Sequence, residues 1–234
     1  MNEQKPEKRS HSEVLEVHSI FRTIQGEGPF CGTPAVFIRL AGCNLQCPGC
    51  DTDYTSNKHR ASAEEIVDKV RELQDTGLVV ITGGEPFRQQ IGSLLRKLNV
   101  WDYYVQIESN GTLPLPDGVF FSQYPDMRRG NYIVCSPKTG SIHKEILENA
   151  CALKYVLSHY AVNLADGLPI KALGHPVDEY VARPPKSWIF PVYVQPEDSK
   201  DERINYLNLQ ACINSCMKFG YTLQLQIHKL IGME

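Results

Sequence analysis

No apolar run in the 234-residue chain approaches the roughly 20 residues that span a bilayer, so a membrane protein built on helices is not expected. The stretch from Met1 to about Glu13 is polar and charged and lacks the apolar segment of a secretory signal. It reads as a mobile N-terminal tail, residues 1–13, ahead of a single domain over 14–234. A cytoplasmic, reducing compartment is the expectation. Positive charge is not in surplus either. The 24 Lys and Arg stand against 27 Asp and Glu, a net charge of −3, with both signs mixed along the chain. That balance argues against a nucleic-acid surface built on bulk charge. Internal repeats and low-complexity tracts are missing too, and the length suits one sizeable core rather than two ordinary domains.

What the chain has in quantity is cysteine: Cys31, Cys43, Cys47, Cys50, Cys135, Cys151, Cys212 and Cys216. In a long chain with no signal segment these are not expected to form a disulfide framework. Cys212 and Cys216, four apart on an expected helix, suit core packing better than a ligand pair, because no third ligand lies near them in sequence. Cys43, Cys47 and Cys50 are different. They crowd into one short segment, as metal ligands do.

Apolar, β-branched runs recur and mostly end in polar residues. They are Val36–Leu40, Leu78–Ile81, Tyr103–Ile107, Tyr132–Cys135, Leu153–Leu157, Trp188–Val194 and Thr222–Ile227. Continuous runs of this length suit strands buried on both faces, as in a parallel sheet. Between several of them lie helical patterns. Ser62 and Glu65 make a capping box ahead of Ile66, Val67, Val70 and Leu73. Ile91, Leu94, Leu95 and Leu98 form a second stripe. Ile204, Leu207, Ala211 and Met217 form a third, with Gly220 as its terminator. The alternation gives an α/β fold with parallel strands. A complete (β/α)₈ barrel takes about 250 residues and more helices than are visible, so a partial, incomplete TIM-type barrel is expected, with its chemistry at the C-terminal strand ends. Residues 113–130 and 160–186 resist assignment.

The cysteine segment reads Cys43-Asn-Leu-Gln-Cys47-Pro-Gly-Cys50, spacing C-x₃-C-x₂-C. Thiolates are soft ligands suited to zinc or iron–sulfur clusters. Structural zinc closes with four ligands, whereas three cysteines on a cubane leave one iron open. Pro48 and Gly49 favour a loop that wraps a cluster. The competing reading is a zinc knuckle with His59 as fourth ligand. Downstream, Thr82-Gly83-Gly84-Glu85-Pro86 follows a strand; its glycines allow close backbone approach and Glu85 offers an acceptor for an ammonium group. Arg39 lies inside an apolar run, where an arginine usually has a partner, and Glu27 is a candidate for that role. His228 sits in an expected apolar strand and reads first as a core histidine.

The C-x₃-C-x₂-C loop after a strand, followed by Gly-Gly-Glu-Pro, resembles the signature of the radical S-adenosylmethionine (SAM) superfamily. The position before the third cysteine, often aromatic there, is Gly49 here, so any adenine contact at that place must come from backbone. The ordered set Thr23-Ile24-Gln25-Gly26-Glu27-Gly28, Arg39, Cys50-Asp51-Thr52, Glu108-Ser109-Asn110-Gly111, Ser136-Pro137-Lys138, Gln195-Pro196-Glu197-Asp198 and Gln226-Ile227-His228-Lys229-Leu230 resembles the 7-carboxy-7-deazaguanine synthase family. The resemblance implies conversion of 6-carboxy-5,6,7,8-tetrahydropterin to 7-carboxy-7-deazaguanine with loss of ammonia, as in queuosine-type 7-deazapurine biosynthesis. It also implies a [4Fe–4S] cluster on Cys43, Cys47 and Cys50, catalytic reuse of SAM, Mg²⁺ on Thr52, a homodimer and a flavodoxin or ferredoxin as electron donor. Substrate contacts are expected at Ile24, Gln25, Gly26, Arg39 and Thr82. SAM contacts are expected at Gly49, Cys50, Asp51, Gly83, Gly84, Glu85, Ser136, Pro137, Lys138, Gln195, Pro196, Glu197 and Asp198.

Two other functions compete with this one. A glycyl-radical-activating enzyme would share the cluster motif but act on a protein backbone. A zinc-stabilised binding module would carry no iron.

Overall fold

The structure is a computed structural model that describes residues 2–74, 77–125, 128–176 and 180–233. Met1 and Glu234, the ends of the expected tail and domain, lie outside the described residues, as do 126–127 and 177–179 within the two unassigned stretches.

Among the described residues nine strands form one sheet. They are β1 (Leu15–Ile24), β2 (Pro34–Leu40), β3 (His59–Ala61), β4 (Leu78–Gly83), β5 (Tyr104–Ser109), β6 (Asn131–Cys135), β7 (Ala150–Leu157), β8 (Val192–Pro196) and β9 (Thr222–Leu223). Their spatial order is β3-β1-β2-β4-β5-β6-β7-β8-β9. All pairings from β2 to β9 are parallel, and β1 runs antiparallel to both its neighbours. The helices are α1 (Ala63–Leu73), α2 (Gly92–Val100), α3 (Lys144–Asn149), α4 (Glu202–Phe219) and α5 (Ile227–Leu230). With β3 and β9 as its edges the sheet does not close, and the architecture is the partial barrel expected from the sequence.

Local chemistry accounts for the helix ends. Ser62 accepts from the Glu65 amide while the Glu65 carboxylate accepts from the Ser62 amide at 2.7 Å, so α1 starts in a reciprocal cap. Asp201 accepts from the amides of Arg203 and Ile204 to begin α4, and Gly220, at φ 77°, ends it in the left-handed region.

Alternation along the strands separates two faces. Ile38, Leu40, Val79, Ile81, Val105, Ile107, Leu153 and Tyr155 pack against the helices. Ala35, Leu78, Val80, Tyr104, Tyr132, Val134 and Ala152 form a second apolar cluster on the opposite, inner face. That inner floor is covered by the β1–β2 loop. Phe30 stacks edge-on against Tyr104 and Tyr132, at centroid distances of 5.1 and 5.2 Å.

Several elements differ from the sequence reading. β1 alternates polar and apolar residues, because its place near the sheet edge buries only one side, and a search for continuous apolar runs passes over it. β3 and α3 are too short to carry a period. The expected strand Thr222–Ile227 pairs only at Thr222 and Leu223, so His228 stands in the helical turn α5 and not in a strand. Cys212 is fully buried in the helix-side core, with Cys216 packed against it.

Candidate active site

Cys43, Cys47 and Cys50 lie in the loop that leaves the C-terminal end of β2. Cys43 and Cys47 are buried and Cys50 is half-buried. Burial pushes the Cys43 thiol up to about 12, and the nearby Cys47 and Cys50 add to the rise. Burial likewise raises Cys47 and Cys50. Three thiols on one loop suit a metal cluster, whose charge deprotonates its thiol ligands outright. The Leu45 amide points at the Cys43 sulfur, 3.4 Å away, ready to stabilise a thiolate. His59 stands in β3 at the sheet edge, exposed. Among the described residues no group of three His, Cys, Asp or Glu side chains could hold a single metal ion.

The N-terminal segment, expected to be a mobile tail, carries hydrogen bonds along this loop. The Asn2 amide donates to the Pro48 carbonyl at 3.1 Å and the Glu7 amide to the Cys43 carbonyl at 2.7 Å. The Gln4 side chain donates to the Thr52 carbonyl at 2.9 Å and accepts from the Tyr54 amide at 2.8 Å. Short polar side chains between prolines and lysines give no periodic signal, so this docking is invisible to a pattern search.

The glycine pair after β4 serves backbone packing. A Cβ on Gly83 would lie 2.0 Å from the Leu40 carbonyl oxygen, and one on Gly84 would lie 1.9 Å from that of Gly42. Only glycine lets the end of β4 press against the start of the cluster loop. Glu85 is fully buried and its oxygens are taken. Oε1 accepts from the Phe87 amide at 3.1 Å and the Ser109 hydroxyl at 2.9 Å, and Oε2 from the Asn110 amide at 2.7 Å. Burial lifts its carboxyl to about 7 despite these donors. Its side chain ties the turn after β4 to β5.

The later segments reach the same end of the sheet. The Ser136 amide donates to Ser109 at 2.7 Å, and the Lys138 ammonium folds back on the Ser136 carbonyl at 2.9 Å. Burial lowers Lys138, with the charge of Lys154 acting in the same sense and Cys47 opposing it. The Gly49 amide donates to Leu173 at 2.8 Å, and a Cβ there would stand 3.4 Å from a Glu197 carboxylate oxygen. Lys229 bridges Asp51 at 3.3 Å and Asp198 at 3.0 Å. Thr52 is half-buried, with its hydroxyl 3.2 Å from Asp51 Oδ1. Pro196 ends β8, and Gln195 points instead to the inner face, toward Glu27 at 3.3 Å.

On the inner face a row of polar side chains stands at matched register. Arg39 pairs with Thr82 across β2 and β4, and the Thr82 hydroxyl donates to Glu108 on β5 at 3.3 Å. Gln25 and Gln106 each donate to the other Glu108 oxygen at 3.1 Å. Gln25 is buried, and its own side-chain oxygen accepts from the Glu27 amide at 3.0 Å, so both ends of that amide are used within the protein. Ile24 closes β1 opposite Pro34, and Gly26 lies under the His228 ring. Glu27 does not pair with Arg39. Its partner is Lys154, buried on β7. Gln226 donates to Glu27 Oε1 at 2.7 Å. From sequence, Glu108 and Gln226 stood only within their motif segments, with no site role, and Lys154 was not singled out. Lys154 did carry a signal, a lysine inside the run Ala150–Leu157 that is otherwise apolar.

The profile of the Radical SAM superfamily matches residues 37–157, from β2 to the end of β7. The 7-carboxy-7-deazaguanine synthase of Rhodospirillum rubrum is 40% identical over 229 residues, covering 94% of this chain and 92% of that protein. The 7-carboxy-7-deazaguanine synthase of Rickettsia prowazekii is 39% identical over 232 residues, covering 94% and 89%. Among solved structures, the crystal structure of QueE from Escherichia coli matches with a TM-score of 0.64 at 23% identity, over 91% of this chain and 93% of that one, a likeness of fold. These relatives favour neither a glycyl-radical-activating enzyme nor a zinc module.

Proposed function

Because this chain belongs to the radical SAM superfamily and, within it, to the 7-carboxy-7-deazaguanine synthases, we propose that it converts 6-carboxy-5,6,7,8-tetrahydropterin to 7-carboxy-7-deazaguanine with loss of ammonia. A [4Fe–4S] cluster and SAM come with the superfamily, and when bound they supply the one-electron cleavage that starts radical chemistry on the substrate. Cys43, Cys47 and Cys50 would hold the cluster. The backbones of Gly49–Asp51 and Gly83–Glu85, with Ser136–Lys138 and Glu197–Asp198, would hold SAM across the strand ends.

The observation that carries the substrate reading is the row Arg39, Thr82 and Glu108. It sets a cation, a hydroxyl and an anion side by side on neighbouring strands, next to the cluster loop. A carboxypterin has the complementary chemistry: N–H donors on one ring edge and a carboxylate on the other side. Glu108 accepts from the donors, and the planar fork of Arg39 matches the carboxylate. Ile24–Gly26, at the end of β1 beside Glu108, would add backbone groups to this grip.

Thr52 is the proposed magnesium ligand. Mg²⁺ prefers oxygen and keeps several waters, so one protein oxygen plus substrate oxygens suffice. A flavodoxin or ferredoxin donor, a homodimeric assembly and a cytoplasmic setting complete the reading. Among the described residues no helix is long and apolar enough to cross a membrane. Anaerobic incubation with SAM, dithionite and the carboxypterin tests the proposal. The expected result is 7-carboxy-7-deazaguanine with one ammonia released per product. SAM cleavage without that product would overturn it.

A further inference from the structure

We propose that Lys154 is a positioning residue of the substrate pocket: its ammonium anchors Glu27, the carboxylate that fastens the Gln25–Gly28 loop to the C-terminal segment Gln224–Lys229. The inference rests on the pterin reading of that pocket and adds a residue to it.

The two faces of β7 make Lys154 conspicuous. Leu153 and Tyr155 point into the helix-side core, fully buried, whereas Ala152 belongs to the apolar floor of the inner face. Lys154, two residues on, rises from that floor with its side chain 8% exposed. A cation there needs a partner. The partner comes from a distant part of the chain, 127 positions away, on the β1–β2 loop.

Glu27 gathers side chains from β7, β8 and the C-terminal segment. One oxygen takes the Lys154 ammonium; the other accepts from Gln226 at 2.7 Å and from Gln195 at 3.3 Å. Gln224 adds two bonds to the same loop, accepting from the Gly28 amide at 2.8 Å and donating to its carbonyl at 3.2 Å. The His228 ring lies on Gly26. Lys229 then reaches Asp51 of the cluster loop and Asp198 after β8. The C-terminal segment is thus held to the β1–β2 loop, the cluster loop and the end of β8 by its side chains, with Glu27 as one anchor. Burial raises the Glu27 carboxyl, and the charge of Lys154 more than reverses this, so the carboxylate stays ionised inside the protein.

A pair that served stability alone would be replaceable by apolar residues, as buried ion pairs often are. This one borders the polar row of the pocket, so its removal is expected to act on substrate more than on the fold. The experiment compares wild type, Lys154→Met and Lys154→Arg as cluster-loaded enzyme. Arginine keeps the charge with a different reach and guards against failure of the methionine variant to fold. Hydrogen–deuterium exchange of the segment 222–230 is read together with KM for the carboxypterin, kcat and uncoupled SAM cleavage. The expectation for Lys154→Met is at least tenfold faster exchange confined to 222–230 and 25–28. KM should rise tenfold or more while uncoupled SAM cleavage stays within twofold. Lys154→Arg should fall between the two. Unchanged exchange in both variants would overturn the proposal, and so would a uniform loss of protection with KM unaltered. If wild type fails to turn over the pterin, the substrate reading fails, while the exchange comparison still decides the role of Lys154.

Discussion

The imidazole of His228 lies directly over the α-carbon of Gly26, so close that a Cβ at position 26 would stand 2.0 Å from Nδ1. The glycine is required by a neighbour from the far end of the chain. Gly26→Ala should therefore push the C-terminal segment off the β1–β2 loop, lowering Tm by several degrees and turnover by tenfold or more. Removing the ring relieves the clash: Gly26→Ala/His228→Ala should melt higher than Gly26→Ala alone. Thermal melts of the three variants measure this. A double variant no more stable than the single one would mean the loop cannot take a side chain for some other reason.

The cluster ligands give a composition test. Alanine at Cys43, Cys47 or Cys50 should abolish cluster assembly, whereas alanine at Cys31, Cys135, Cys151, Cys212 or Cys216 should leave the iron content unchanged. Cys135 and Cys212 are fully buried and add a packing cost to their variants, so iron is counted on folded protein only. Iron and sulfide analysis after anaerobic reconstitution is the readout. Four irons per chain in the triple variant of Cys43, Cys47 and Cys50 would remove the assignment.

The Glu27–Lys154 pair predicts a dependence of stability on pH whose sign can be worked out. Glu27 is held below its ordinary 4.5, so its contribution is complete above that pH and is lost only as pH falls through the lowered value. In Lys154→Met the burial remains and the ammonium is gone. The carboxyl then titrates above 4.5, and the sign reverses: the variant gains stability as pH drops from 7 to 5. Removing one partner of a buried pair costs about 3–5 kcal/mol at neutral pH. The gap between the two proteins should shrink by about half or more at pH 5. His228, Glu108 and Asp51, whose charges also bear on this pair, are common to both and largely cancel. Urea denaturation of cluster-free protein at both pH values is the check, and an equal gap at each would mean that packing, not charge, makes the pair matter.

The sequence exposed features that repeat or that chemistry makes rare. Runs buried on both faces identified β2 and β4–β6 within a residue or two and β7 within three, because a parallel strand has no polar side to disguise it. The cap at Ser62 and the stop at Gly220 were readable because each uses a residue chosen for one backbone task. The cysteine loop was readable because few other chemistries need that spacing. What stayed hidden was pairing at long range. Nothing local distinguishes Glu27 as the partner of Lys154 from Glu27 as the partner of Arg39, since the choice is made by strand order. Nothing local shows that the Glu85 oxygens accept from Phe87, Ser109 and Asn110, two of them on or just after β5. The docking of Asn2, Gln4 and Glu7 along the cluster loop follows the same rule. It depends on where carbonyls of the loop end up, which no periodicity records.

Arg39 provides the most direct test of the substrate row. It stands on the inner face of β2 between Ser19 of β1 and Thr82 of β4, with its guanidinium 5.2 Å from the centroid of the Phe21 ring. That geometry uses two properties of arginine. The flat guanidinium can rest on an aromatic face, and its fork can present two parallel N–H groups to a carboxylate. Lysine keeps the charge and loses both. Hydrogen bonds to charged groups are worth roughly 1.5–3 kcal/mol each, so Arg39→Lys should weaken carboxypterin binding by about tenfold to a hundredfold. The cluster loop and the Gly83–Glu85 turn hold their places through backbone contacts that do not involve Arg39, so uncoupled SAM cleavage should survive. Substrate affinity and uncoupled cleavage must be measured on one preparation. Wild-type affinity in Arg39→Lys would take Arg39 out of the pocket. Loss of both would mean that its stack on Phe21 supports the sheet edge and not the ligand. Lost affinity with cleavage retained is the one pattern that fits an arginine gripping the carboxylate.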